Sequence, residues 1–554
     1  MEFDVTSLHG RRASRRWERT SVGDILERVT WSRPDKLAIV GHDGAYASSA
    51  FSRLTYREAD QLANRAGNAM LARGVPRGGR VMLFCDNSVE AFLAKLGAAK
   101  AGLVCAPLNT MVAPDMAAHL IERMEPSLAI VDDELWAAAE PGFTEAGLRP
   151  DVTIALDGEV VPGSVSFEEF IADAPADEPD VEIHGDDIWQ VLFTSGTTSM
   201  PKAAMQSHIT AHFAAYSFAV TLSRGVHHEA ETCLGCFLPI IYHVGDQAFG
   251  LSPFLCAGTL VIGRRPDPVG LAEAITRERI TALWAGSPAM LTGLADTLEA
   301  GRTHYNARSL RAALYGWAAL PQGTLATLKR HCGEEFCATE ILGQTECVSC
   351  HRFSTDEFDE VYRRTAPQEN YVGRPSPILA AQIVDPLGVP LPDDSPEPGE
   401  VVYRSPSMTA GYYRDEEATR EAFRGGWFHS GDSCAVGLEG QRVMLDRYKD
   451  MIKSGGENVS SLRVEAVLHQ HPKIERAAVV GLAHDHWGEA VTAFVVGSGW
   501  EEQEVIAFCR ARLAGFETPK RVVGIDELPQ TVGGKVLKYK LRAAHADIYA
   551  ASSR

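Results

Sequence analysis

The residues best suited to chemistry lie in one run, Val191 to His208, which reads VLFTSGTTSMPKAAMQSH. Its apolar, β-favouring start predicts a buried strand. The strand opens into Thr194, Ser195, Gly196, Thr197, Thr198 and Ser199, then Met200, Pro201 and Lys202. Six small residues, five of them carrying hydroxyls, can wrap an anion with O–H and backbone N–H donors. Lys202 adds a positive charge that can reach a phosphate oxygen. This is not the G-x-x-x-x-G-K-[ST] phosphate loop, since its lysine follows a proline and Ala203–Ser207 continues without helix caps. A Ser/Thr-rich run is most often a surface turn. Closure by Pro-Lys and the agreement of stretches downstream set this one apart.

Those stretches come in a fixed order. LPIIYHVGD (238–246) carries His243, and YGWAAL (315–320) carries Gly316, Trp317 and Ala318. ILGQTE (341–346) ends a predicted strand, where open α/β sheets bind ligands. There Gly343 permits close backbone approach, Thr345 offers a hydroxyl and Glu346 a carboxylate for Mg²⁺. GWFHSGD (426–432) ends in Asp432, and LDRYKDMIKSGGENV (445–459) combines charges with the side-chain-poor Ser454, Gly455 and Gly456. LPQTVGGKVLKYK (528–540) sets Lys535 on a glycine turn, where a lone lysine is usually just solvated.

Together these stretches resemble the motifs of the adenylate-forming superfamily, which contains acyl-CoA synthetases, luciferases and the adenylation domains of peptide synthetases. The resemblance covers residues 20 to 545. It implies that Thr194–Thr198 and Lys202 form the phosphate loop, with Ser199 and Ala203 where the family usually has glycine. Thr345 would contact the AMP phosphate and Glu346 the magnesium. Leu342 replaces the aromatic that usually stacks on adenine, beside Gly343 and Gln344. Gly316, Trp317 and Ala318 match the segment lining the adenine and acyl pockets. Asp432 and Arg447 would hold the ribose hydroxyls, and Lys449 would be a hinge. Lys535 would be the catalytic lysine of adenylation. Lys453 would serve the second half-reaction, with Ser454, Gly455 and Gly456 passing a pantetheine arm. His243, Val244, Gly245 and Trp317 fall at the acid pocket, His243 orienting the carboxylate; its structural alternative is a packed histidine capping a strand.

The implied reaction joins a carboxylic acid to ATP as acyl-AMP, then to CoA as a thioester, releasing pyrophosphate and AMP. SGGENV resembles the CoA-ligase branch. One alternative is an acyl-AMP ligase loading a separate carrier protein. Another is a non-catalytic nucleotide-binding relative, motivated by Ser199, Ala203 and Leu342. The bulk of Trp317 favours small or branched acids. Family habit suggests a homodimer.

The elements that must position these residues can be read from periodicity. A chain of 554 residues exceeds one core. Strand-helix alternation over 36–135, and again over 232–342, predicts two parallel-type α/β subdomains. Residues 150–185, acidic and Pro/Ala-rich, read as a surface excursion. From Tyr371 short strands and turns predict a β-rich subdomain. After the charged segment Asp446–Asp450 the pattern predicts a small mobile α+β domain. The expected division is an N-terminal domain over 1–446 and a C-terminal lid over 447–554.

Composition narrows the rest. A net charge of −20 argues against nucleic acid or an anionic membrane as partner. No apolar run of membrane-spanning length is present. The arginines at 11, 12, 15, 16 and 19 lack a following apolar segment, so they read as a solvated arm rather than a secretory signal. Cys233/Cys236 and Cys347/Cys350 have C-x-x-C spacing, but small buried thiols in a reducing cytoplasm are the expected reading.

Overall fold

The computed structural model describes residues 20–194, 201–447, 450–454, 457–484, 486–530 and 536–549. Strands between Arg80 and Ser207 build a seven-stranded sheet. Its order is Val165–Ser166, Val152–Ile154, Leu128–Asp132, Arg80–Phe84, Val104–Pro107, Ile188–Phe193, Ala203–Ser207. All pairs are parallel except the last, a hairpin with Leu192 opposite Ala204. Strands such as Leu128–Asp132 are buried along their whole length, as a sheet covered on both faces requires. The Thr55/Glu58 capping box expected from T-Y-R-E starts helix Tyr56–Ala72. That helix packs tightly on Val89–Lys100, where a Cβ on Gly97 would sit 2.8 Å from the Ala63 carbonyl oxygen.

A second sheet has thirteen strands. From one edge it runs Arg53–Thr55, Leu37–Gly41, Thr259–Ile262, Cys233–Cys236, Ala282–Gly286, Ala312–Tyr315 and Cys337–Gln344. It continues through Cys347–Ser354, Tyr371–Pro375, Arg442–Arg447, Phe428–Val436, Gly399–Arg404 and Ala380–Val384. The pairs from Leu37–Gly41 to Cys337–Gln344 are parallel and those beyond are antiparallel. The β-rich stretch therefore extends the same sheet, and Cys337–Gln344 is the strand where the two styles meet. Asn87 bolts the two sheets together. Its Nδ2 donates to the carbonyls of Leu238 (2.8 Å) and Gly263 (3.2 Å), and its Oδ1 accepts from the Ile240 N–H (2.8 Å).

Two sequence expectations are corrected. Residues 150–185 are not a mere excursion: they add two strands to the first sheet, and helix Phe167–Ala172 buries Phe167, Phe170 and Ile171. Acidic loops between these short elements masked their apolar anchors. Ser207 does cap a helix, His208–Leu222, in a reciprocal box with Thr210.

The C-terminal sheet joins Glu457–Val459, Ile452–Ser454, Gly488–Gly497, Ile474–His484 and Arg521–Gly524. Helices Ser461–Leu468 and Glu502–Arg510 cover it, around a core that includes Val479, Val491, Val495 and Val505. It meets the large sheet at Asp446, whose carboxylate accepts from the Ser461 N–H at 2.7 Å. Lys538 pairs with Glu465 at 2.9 Å beside this contact. No helix among the described residues is long and apolar enough to cross a membrane.

Candidate active site

The hairpin Ile188–Phe193/Ala203–Ser207 sets the first part of the site. The Thr194 N–H donates to the Lys202 carbonyl at 2.8 Å, so the phosphate-loop run leaves and returns at one point. Ser195, Gly196, Thr197 and Thr198 lie outside the described residues. The free edge of Ala203–Ser207 is sewn to residues 409–413. Met205 N–H donates to Gly411 (2.9 Å), Ala410 N–H to Met205 (3.0 Å) and Tyr413 N–H to Ala203 (2.8 Å). Arg123 adds a bond to the Tyr413 carbonyl at 2.6 Å.

This stitching delivers Tyr412. The Lys202 ammonium lies 4.7 Å from the centre of its ring, and its hydroxyl donates to Glu346 Oε1 at 2.8 Å. Burial raises the Tyr412 pKa, with the Glu346 carboxylate adding to the effect, so the phenol stays a donor. Glu346 is buried, and its carbonyl accepts from Thr409 N–H at 2.8 Å. Gln206 Nε2 donates to the Thr345 carbonyl at 2.7 Å. Lys202 and the Thr345–Glu346 turn, far apart in sequence, thus share one bonded patch. Tyr412 was missed by sequence reasoning, and an aromatic pair in a turn gives no signal that would have found it.

A second patch adjoins the first through Gln344. Its Nε2 donates to Asp432 Oδ2 (2.8 Å) and the Ser430 carbonyl (2.7 Å). Arg447 Nε pairs with Asp432 Oδ1 at 2.8 Å, and its Nη1 donates to the Ser430 carbonyl at 3.1 Å. Asp432 and Arg447 are register partners on neighbouring strands. The Gln344–Glu346 turn therefore touches both patches, because it follows the strand where the sheet changes style.

The candidate acid wall stands on the parallel side of that strand. Gly316 has to be glycine, since a Cβ there would come within 2.8 Å of the Ile341 carbonyl oxygen. Trp317 follows with φ +72°, a left-handed conformation costly for a bulky side chain. Its ring meets Trp284 edge-on at 6.4 Å; Trp284 stacks on Phe249 at 4.3 Å, and Phe249 meets Phe218 at 5.1 Å. Trp317 and Ala318 are exposed, and Gly343 is exposed as well. Leu342 packs instead against the core of the β-rich region, so it and Trp317 belong to separate walls.

His243 is exposed, Val244 is half-buried and Gly245 is buried. The His243 Nδ1 accepts from the Gly245 N–H at 3.1 Å, which fixes the ring. Beneath this turn lies a buried ion pair, Lys95 Nζ to Asp246 Oδ2 at 2.6 Å. Lys95 also donates to the Ile241 carbonyl (2.6 Å), and Gln190 Nε2 donates to Asp246 Oδ1 (3.2 Å). Burial raises the Asp246 carboxyl, opposed by Lys95. The His243 turn is thereby fastened to helix Val89–Lys100 and to the strand leading into the phosphate loop. Its signal was available: a lysine in the middle of a helix buried on every side must find an acid.

In the C-terminal domain Lys453 is exposed, and its N–H donates to Glu489 Oε2 at 2.7 Å. Ser454 is buried opposite Gly488. Lys449, Gly455, Gly456 and Lys535 lie outside the described residues. A bridge between Gln530 and Val536 closes the base of the stretch that carries Lys535. Cys233 and Cys236 share one strand three positions apart, hence opposite faces, which rules out joint ligation of a metal. The described cysteines are all free thiols.

A profile of AMP-binding enzymes matches residues 26–413, and one of the AMP-binding enzyme C-terminal domain matches 463–535. The chain belongs to the adenylate-forming superfamily. Within it the chain falls in the acyl-CoA ligase branch. A long-chain-fatty-acid–CoA ligase, FadD13 of Mycobacterium tuberculosis, is 30% identical over 532 residues, covering 94% of this chain and 99% of that protein. A feruloyl-CoA synthase of Amycolatopsis sp is 31% identical, covering 88% and 93%. The crystal structure of ATP-bound MatB from Rhodopseudomonas palustris superposes with a TM-score of 0.80 at 28% identity, covering 95% of this chain and 99% of that one. This adenylate-forming chain thus shares both the large and the small domain of its relatives.

Proposed function

We propose that this chain, an AMP-forming acyl-CoA ligase by family, activates small or branched carboxylic acids, with Trp317 setting the depth of the acid pocket. Relatives named for a long-chain fatty acid and for ferulate differ in their acid, so the pocket wall decides the substrate. The reading is supported above all by one continuous network: Lys202 on Tyr412, Tyr412 on Glu346, and Gln344 two residues away on Asp432 with Arg447.

In the first half-reaction the acid carboxylate attacks the α-phosphorus of ATP. The new P–O bond forms as the bond to pyrophosphate breaks, and pyrophosphate leaves with the electron pair. Two anions must meet, so the site has to cancel repulsion. Lys202 and Lys535 supply fixed positive charge; Lys535, protonated, acts by charge and position. Asp432 and Arg447 hold the ribose, the carboxylate accepting from its hydroxyls. Glu346 fits a divalent cation, because among the described residues its buried carboxylate meets a phenol and no lysine or arginine. Mg²⁺ bound there would neutralise phosphate charge. In the second half-reaction the CoA thiol attacks the acyl carbon, its proton passes to solvent, and AMP leaves with the C–O bond pair. The small domain presents Lys535 first and then, turned about Lys449, Lys453 and the 454–456 stretch.

The test is ATP–pyrophosphate exchange over straight, branched and aromatic acids, followed by AMP release with and without CoA. Exchange greatest for short or branched acids, with AMP release requiring CoA, is expected. A preference for chains of a dozen carbons overturns the pocket reading, and exchange with no AMP release even when CoA is supplied favours a carrier-protein acceptor.

A further inference from the structure

Beside the strand that leads to Gln344–Glu346 lies a small hollow of about 10 Å³. It is lined by Tyr315, Glu340, Tyr362, Thr365, Glu369 and Tyr371, with apolar atoms filling the rest. Glu340 sits in the strand Cys337–Gln344, in register with Tyr315 on one side and Phe353 on the other. It is 1% exposed, and its Oε1 has no hydrogen-bond donor among the described residues. Its hydrogen-bonding neighbours are the neutral Tyr315 and Asn370, and Asn370 Oδ1 also lacks a donor. Burial pushes the Glu340 carboxyl well above its usual range, and no lysine or arginine pulls it back.

We infer that this hollow is a binding site for one monovalent alkali cation, held by Glu340 and the oxygens around it. The lining offers carboxylate, phenol and hydroxyl oxygens and no basic group, the donor set hard cations take. Glu340 Oε1 is a buried acceptor without a donor on this lining, and a cation there satisfies it as an ionised carboxylate while also offsetting the charge of Glu369 at the rim. The hollow has room for a particle the size of a water molecule and no more. The remaining acidic group among the described residues, Asp24, Glu27 and Glu178, is a different case: Lys100 already bonds Glu178 there at 2.6 Å.

The position gives such a cation leverage. Tyr362 donates to the Leu320 carbonyl at 2.9 Å, and Gln322 Nε2 to the Ala366 carbonyl at 2.8 Å. These bonds brace the turn that carries Gly316, Trp317 and Ala318, while Glu340 lies five residues before Thr345. Occupancy therefore stiffens the acid wall and the nucleotide strand together. The binding claim stands apart from the proposed acid; only its effect on exchange rests on that reading.

The experiment compares the full-length wild type with Glu340→Gln in choline, sodium and potassium chloride at one ionic strength. Wild-type Tm should rise saturably, by about 2 °C or more, in one or both alkali salts over choline. The Glu340→Gln variant should show no saturable rise. Thallium(I) soaked into wild-type crystals should give an anomalous peak beside Glu340, which decides the matter if the variant does not fold. Equal Tm in choline and alkali salts, a full response in the variant, or no thallium peak each overturn the site and leave a buried water in its place. Loss of ATP–pyrophosphate exchange in every salt would count against the proposed function instead.

Discussion

Replacing Tyr412 by phenylalanine tests whether the Lys202–Tyr412–Glu346 chain organises the phosphate end of the site. The change keeps the ring 4.7 Å from the Lys202 ammonium and deletes the hydroxyl 2.8 Å from Glu346 Oε1. A hydrogen bond to a charged group contributes about 1.5–3 kcal/mol, and its loss here leaves a buried carboxylate oxygen without its donor. If that energy orients Glu346 towards bound MgATP, kcat/KM for ATP falls roughly ten- to a hundredfold. Tyr412→Leu also removes the ring. The cation–π contact adds about 0.5–1 kcal/mol, a further loss of roughly two- to fivefold. The assay is ATP–pyrophosphate exchange at saturating acid over a range of MgATP, alongside urea unfolding of each variant. A Tyr412→Phe enzyme that folds normally and keeps kcat/KM within twofold of wild type would refute the reasoning.

Four more outcomes follow from the same structure. Lys95→Met leaves Asp246 buried under the His243 turn without its counter-charge; urea denaturation should show a loss of about 3–5 kcal/mol, largely recovered in Lys95→Met/Asp246→Leu. His212 Nε2 donates to the Ser21 carbonyl at 2.7 Å, and burial lowers its pKa to about 4 from 6.5. Because the folded pKa is depressed, this stability is present above pH 6.5 and is lost as pH falls towards 4, by about 3 kcal/mol at most, a slope that His212→Gln should remove from an acid-unfolding series. Trp317→Gly relieves a left-handed backbone and opens the pocket, so kcat/KM should shift towards larger acids; an unchanged ranking across acid sizes sinks the pocket assignment. Lys535→Ala should abolish adenylation yet spare thioester formation from supplied acyl-AMP, and Lys453→Ala the reverse; equal loss in both half-reactions for either variant undoes the two-pose scheme.

Much of this was legible because chemistry and topology constrain residue types locally. Buried parallel strands have to be apolar runs, and the Thr55/Glu58 box marks a helix start by itself. Lys202, Glu346 and Asp432 stood out because charges recur inside ordered motifs, and the structure brings them into one network. What was hidden depends on long-range partners. Tyr412 is ordinary in its own turn and acquires meaning only through the strand stitched beside it. Gln344 looks like a spacer until Asp432 arrives across the sheet. The strands Val152–Ile154 and Val165–Ser166 are too short to outweigh the acidic loops around them.

The order of strands in the large sheet has a consequence for how the protein is made. Leu37–Gly41 closes its place only against Thr259–Ile262, through contacts such as Thr259 Oγ1 to the Leu37 carbonyl, 222 residues apart. At about 5–20 residues per second on a ribosome, the early strand waits roughly ten to forty-five seconds for its neighbour. The seven-stranded sheet is complete by Ser207 and can form first. During that interval the apolar strand Leu37–Gly41, paired with Arg53–Thr55 on one side only, leaves its other edge open to aggregation and to capture by chaperones.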